Sequence, residues 1–186
     1  MKIVYLHGFG SRYKADSPKV NELKNIGHVV GFKIDYCMNA DLLIEHVCDQ
    51  ISKQGVDLIV GTSMGGWLAS QVGTLLGIPF VALNPAIDPR ESLLRHLGTS
   101  VDYCGNNINM TNDIVDSYDR FNTGGCGLIL LEEGDELFDF SVTESVLKVY
   151  YDVKIFKGGS HRFEDMKDTL ELITNFKNQS ELIYGS

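Results

Sequence analysis

Six short apolar runs alternating with helix-like segments predict an α/β protein on a parallel, doubly wound sheet of about six strands, with helices on both faces. Three observations carry this reading. Runs such as Leu58-Ile-Val60 are apolar on both sides, as strands buried between two helical layers must be. Amphipathic stretches long enough for a parallel crossover separate most of them. Glycine-rich loops follow several of the runs, and right-handed crossovers bring all such loops to one rim of the sheet. A chain of 186 residues with 44% hydrophobic content suits one compact domain, residues 1–186, carrying a short insertion.

In chain order, residues 2–6 form the first strand and end in His7-Gly8-Phe9-Gly10-Ser11. Gly8-x-Gly10 matches part of a dinucleotide fingerprint, with Asp35 as the ribose ligand. Tyr13, however, stands where a third glycine should allow close helix packing. An oxyanion loop with the Phe9 N–H as donor fits instead. Ser17-Pro18 is an N-cap followed by proline at N1, for a short helix over residues 19–26 closed by Gly27. A second strand spans residues 28–34. Asn39 and Asp41 then open a helix whose Leu43, Ile44, Val47, Cys48 and Ile51 make one apolar stripe, ending near Gly55.

The third strand, residues 56–60, breaks into Gly61-Thr-Ser63-Met-Gly65 and continues as a helix through residue 76. Glycines two before and two after Ser63 keep side chains from colliding where the backbone doubles back, and a serine at such a turn is lifted out of the sheet. Trp67, one turn along that helix, is read as core. Residues 79–83 form a fourth strand, and the following Asn84-Pro85-Ala86 turn sits beside the serine. Over residues 88–125 the alternation lapses. This stretch is read as a cap-like insertion over the sheet edge, with short helices at 91–97 and 112–121 around a polar Gly105-Asn106-Asn107 link. The fifth strand, residues 127–131, runs into Glu132-Glu-Gly134-Asp135-Glu136. Ser141 and Glu144 are spaced as a capping box for a helix to Tyr151. A sixth strand, residues 153–156, leads to Gly158-Gly-Ser160-His161 and a last helix with Phe163, Met166, Leu170, Ile173 and Phe176 on one face.

One rim therefore gathers Ser63, Asp135 and His161 from three different loops. Serine becomes a nucleophile when a base takes its proton in the transition state, and histidine does this near neutral pH. Asp135 would hold the imidazole in the right tautomer, while the N–H groups of Phe9 and Met64 meet the developing oxyanion. As the first residue past Gly134, Asp135 is the favoured acid. Glu136 is expected to point away, and Asp139 stays open as an alternative acid or a helix cap. Of the other histidines, His28 starts a strand, His46 lies within a helix, His96 falls in the insertion and His7 shapes the oxyanion loop.

Composition narrows the partners. Net charge is −9 and no lysine or arginine run could neutralise several phosphates, so nucleic acid and anionic membrane are excluded as expected partners. No apolar stretch approaches the length of a membrane span, and a cytoplasmic location is expected. Cys37, Cys48, Cys104 and Cys126 lack C-x-x-C spacing and are read as reduced thiols. No metal and no cofactor is expected.

The segments Leu6-His-Gly-Phe-Gly-Ser11, Gly61-Thr-Ser-Met-Gly-Gly66, Asn84-Pro-Ala86, Glu133-Gly-Asp-Glu136 and Gly158-Gly-Ser-His161 together resemble the YqiA-type branch of small bacterial α/β-hydrolase esterases. The resemblance covers nearly the whole chain. It implies a minimal α/β-hydrolase fold with a short helical cap and esterase activity on acyl substrates. The expected function is that of a carboxylesterase or thioesterase working on a small acyl ester through an acyl-serine. An acyltransferase using the same three residues and a non-catalytic binding module on the same fold are the alternatives. Oligomeric state is not legible.

Overall fold

The computed structural model describes residues 1–101, 105 and 107–184. In chain order its elements are β1 (Lys2–Leu6), α1 (Pro18–Leu23), β2 (His28–Val30), α2 (Ala40–Ser52), β3 (Leu58–Thr62), α3 (Met64–Leu76), β4 (Phe80–Leu83), α4 (Pro89–Leu94), β5 (Gly98–Val101), β6 (Asn107–Met110), α5 (Asn112–Asp116), β7 (Gly127–Glu132), α6 (Phe140–Leu147), β8 (Asp152–Phe156) and α7 (Met166–Tyr184).

Six strands form the main sheet in the order β2-β1-β3-β4-β7-β8, and every neighbouring pair is parallel. All loops leaving the carboxyl ends of these strands therefore emerge on one rim. The order reverses at β1: the chain first moves out to β2, then crosses back to lay β3 on the other side of β1. Such a switch point opens a crevice between the two diverging loops. One of those loops carries Phe9 and the other Ser63.

Strands β1, β3, β4 and β7 are buried on both faces, and successive side chains go to opposite sides of the sheet. Val4, Leu6, Ile59, Ala82 and Ile129 pack against Leu43 and Val47 of α2 and Trp67, Leu68 and Val72 of α3. Ile3, Tyr5, Leu58, Val60, Val81, Leu83, Leu128 and Leu130 face the other way, towards Val20 and Leu23 of α1 and Ile173 of α7. Trp67 is wholly buried, as expected, and its Nε1–H donates to Asp119 O at 2.9 Å.

Some elements differ from the sequence expectation. β2 stops at Val30, and α1 ends at Leu23. Asn39 does cap α2, its Oδ1 accepting the N–H groups of Asp41 and Leu42. Residues 88–125 contain the two expected helices, each shortened. Between them stands an antiparallel hairpin of β5 and β6 that a polar link did not anticipate. All four β5 residues are exposed, so neither face shows the apolar alternation that marks a half-buried strand. Asn106 of that link, and Cys104, lie outside the described residues. The expected Ser141–Glu144 capping box is replaced by Asp139, whose Oδ1 accepts the Ser141 N–H at 2.9 Å and the Ser141 Oγ–H at 2.7 Å. One carboxylate at the N-cap thus places Ser141 inside the first turn. No disulfide involves Cys37, Cys48 or Cys126 among the described residues. No helix among them is long and apolar enough to cross a membrane.

Candidate active site

Ser63 is the residue between β3 and α3, held at φ 58° and ψ −121°. That backbone is strained for any residue with a Cβ, and it persists because strand and helix are locked around it. A Cβ on Gly61 would lie 2.0 Å from Gly65 O, and one on Gly65 would lie 2.1 Å from Leu6 O. The close approach that the glycine spacing predicts is therefore real on both sides of the serine.

His161 Nε2 lies 2.9 Å from Ser63 Oγ, and its Nδ1 lies 3.0 and 2.9 Å from the two oxygens of Asp135. The tautomer consistent with both contacts carries its proton on Nδ1, donates it to the carboxylate and accepts the serine hydroxyl at Nε2. The Asp135 side chain is 2% exposed and that of His161 13%. Asp135 is aimed by its own turn, since Oδ1 also accepts the N–H groups of Leu137 at 2.8 Å and Phe138 at 2.9 Å. The Phe138 ring stands edge-on to the imidazole, 4.7 Å between centroids, and limits its rotation. Asp139 is engaged at the α6 cap instead. Glu136 does not point away as expected: its Oε2 accepts the His161 N–H at 2.8 Å. That bond is the main cause holding the Glu136 carboxyl below its usual range.

Across the crevice, the loop after β1 is fixed by His7. Its Nε2 accepts the Ile34 N–H at 3.2 Å, so Nδ1 carries the proton and donates to Gly8 O at 2.9 Å. Burial pushes the His7 pKa down and keeps the ring neutral, as this arrangement requires. A planar trans peptide then turns the Phe9 N–H to the side opposite Gly8 O. Neither the Phe9 nor the Met64 backbone N–H has an intrachain acceptor among the described residues. Met64 is also the first residue of α3, where the helix dipole favours negative charge. His96 of the insertion stacks on Phe9, with centroids 4.6 Å apart. A cleft of about 420 Å³ opens beside the same loop, bounded by Phe9, Tyr13, Phe32 and Ile108. Among the described residues no group of three or more His, Cys, Asp or Glu is gathered to hold a metal ion.

The family model described as "Uncharacterised protein family (UPF0227)" matches residues 2–178. The chain belongs to the UPF0227 family. A UPF0227 protein from Yersinia pseudotuberculosis is 32% identical over 183 residues, which cover 94% of this chain and 98% of that one. Among solved structures, a monoacylglycerol lipase from Paleococcus ferrophilus matches with a TM-score of 0.71 at 14% identity, over 96% of this chain and 94% of that one. Alpha/beta hydrolase domain-containing protein 10 from mouse matches with a TM-score of 0.70 at 17% identity, over 97% and 90%. At such identities the likeness is one of fold, and the fold of this UPF0227 chain is that of the α/β-hydrolases. The family resemblance read from the motifs holds over nearly the whole chain.

The sequence reading put Asn84 in a turn beside the serine and Glu132 in an acidic run, but gave neither a part in holding the site. Asn84, at φ 42°, donates from Nδ2 to Ser160 O at 2.9 Å and accepts the Glu132 N–H at 2.9 Å. Glu132, the last residue of β7, is completely buried. Strand parity puts it on the face of Leu128 and Leu130, and at the strand's end the loop bearing His161 covers it, despite its place in an acidic run.

Proposed function

We propose that this chain is a serine hydrolase, a carboxylesterase or thioesterase acting on small acyl substrates through an acyl-serine intermediate. The observation that carries the reading is the hydrogen-bonded series Ser63–His161–Asp135 ending on a strained strand-to-helix turn. Ser63 Oγ attacks the acyl carbonyl while His161 Nε2 takes its proton. Asp135 stabilises the resulting imidazolium through Nδ1–H. The oxyanion is met by the N–H groups of Met64 and Phe9, one such donor being worth ~3–4 kcal/mol. Collapse of the tetrahedral species breaks the carbonyl–oxygen or carbonyl–sulfur bond, and the imidazolium protonates the departing alkoxide or thiolate. Water then repeats the sequence on the acyl-serine, His161 taking its proton, and the carboxylic acid and free serine result. No step of this scheme draws on a metal or cofactor.

The whole chain acts as one α/β-hydrolase domain in this reading, with residues 88–125 as its cap. The contact between His96 and Phe9 supports a part for the cap in shaping the substrate's surroundings. The lipase among the fold neighbours supports an acyl ester as the substrate class.

The test is labelling by a fluorophosphonate together with turnover of p-nitrophenyl esters of graded chain length. The wild-type chain labels on Ser63 and hydrolyses short esters, and Ser63→Ala removes both with an unchanged melting temperature. Undiminished turnover in Ser63→Ala would overturn the reading.

A further inference from the structure

The loop bearing His161 contains neither helix nor strand, yet side chains from distant elements meet many of the backbone polar groups around the histidine. Glu132 Oε2 accepts the Ser160 N–H at 2.8 Å, and Oε1 accepts the N–H groups of Glu164 and Asp165 at 2.7 Å each. Asn84 Nδ2 covers the carbonyls of Ser160 at 2.9 Å and His161 at 3.5 Å, while Asn84 Oδ1 takes the Glu132 N–H. Lys19 Nζ donates to Arg162 O. Its pKa is pushed down to about 8 by burial, with the negative charge of Glu132 as the opposing influence.

A carboxylate with no exposed surface at the end of a central strand is unfavourable unless its lone pairs are filled by donors. Here the three N–H donors, from Ser160, Glu164 and Asp165, belong to one loop, on both flanks of one histidine. The loop is also wrapped tightly onto the carboxylate: a Cβ at Gly159, at φ 71°, would lie 2.1 Å from Glu132 Oε2. Glutamine has the same shape but must turn its amide NH₂ towards at least one of these N–H groups.

We propose that Glu132 is a positioning residue for the reaction: its ionised carboxylate, seated against Asn84, sets the backbone of the His161 loop so that Nε2 stays within reach of Ser63 Oγ. This rests on the serine-hydrolase reading. Glu132 touches neither substrate nor the reacting atoms, so its effect must pass through His161.

A double-mutant cycle on the full chain, read by ester turnover, fluorophosphonate labelling and melting temperature, tests it. Glu132→Gln lowers kcat by ~10²-fold, the scale expected for a displaced catalytic group, while KM changes by less than about twofold. In a His161→Ala background the same substitution leaves the residual turnover unchanged. Should Glu132→Gln fail to fold, Asn84→Gly serves in its place: glycine keeps the positive φ, removes the amide and lowers kcat by about tenfold only when His161 is present. A folded Glu132→Gln with undiminished kcat overturns the proposal, and so does an equal loss with and without His161. A wild-type chain that neither labels nor turns over overturns the hydrolase reading itself, a result distinct from either.

Discussion

Ser63 and His161 meet at one hydrogen bond, yet opposite means bring them there. The serine is placed by main chain alone: a strand, a turn at positive φ, a helix, and glycines where a methyl group would strike a carbonyl oxygen. The histidine is placed by charged and amide side chains, with Asp135 on the ring, Glu136 on its own N–H and Glu132 and Asn84 beneath the loop. Shape governs the first half of the site and polar complementarity the second. The elbow should therefore respond to volume rather than to charge, whereas the loop, tight as it is at Gly159, should respond to charge even where volume is kept.

The largest effect falls on the loop side. Asp135→Asn keeps the volume but removes the charge and favours the wrong imidazole tautomer, so kcat drops by about 10⁴-fold, as for the equivalent change in serine proteases, with little change in melting temperature. Turnover within tenfold of wild type would erase the contrast. Next comes the elbow, where Gly65→Ala changes no charge but drives a methyl into Leu6 O. The expected loss is about 3 kcal/mol of stability, measured by urea unfolding, with labelling lost in proportion to the unfolded fraction.

A smaller effect separates the halves by pH. On the elbow side, buried Tyr5 donates to or accepts from Thr62 Oγ1 at 3.0 Å, and Tyr36 O–H donates to His7 O at 2.7 Å. Burial raises both phenols, Tyr5 to about 12. The unfolded chain then loses these protons first, so stability declines as pH rises past ~10. On the loop side the Glu136 carboxyl is lowered, the unfolded chain binds its proton first, and stability declines as pH falls through the ordinary carboxylate range. Melting curves across this span should show Tyr36→Phe blunting only the alkaline limb and Glu136→Gln only the acid limb. Smallest of all is Asp139→Asn. It weakens the α6 cap, lowering the melting temperature slightly, with turnover per folded molecule unchanged. An inactive Asp139→Asn beside an active Asp135→Asn would reassign the acid.

The same division explains what the sequence could tell. Gly61, Ser63 and Gly65 are legible because a backbone turn writes its demands within five residues. Asp135 was legible over Asp139 because it directly follows Gly134 in the loop that leaves the strand at the rim, while Asp139 lies by the next helix start. Glu132 and Glu136 were not, since an acidic run reads as solvated surface until strand parity and the fold of a distant loop are known. The β5–β6 hairpin stayed hidden for a related reason: β5 is exposed throughout, and the apolar period of β6 rests on Ile108 and Met110 alone.

The parallel strand order also bears on how the chain acquires its competence over time. Ser63 and His161 are 98 residues apart, and β8, which delivers the histidine, is joined to the serine's strand only through β7 and β4. Contacts closing such long loops form late, because the entropy of closure must be met before any pairing offsets it. Helical signal should therefore recover early in refolding, with α2 and α3 forming locally. On the hydrolase reading proposed above, turnover should return in the slowest phase, as a timer for the closing of these long-range contacts.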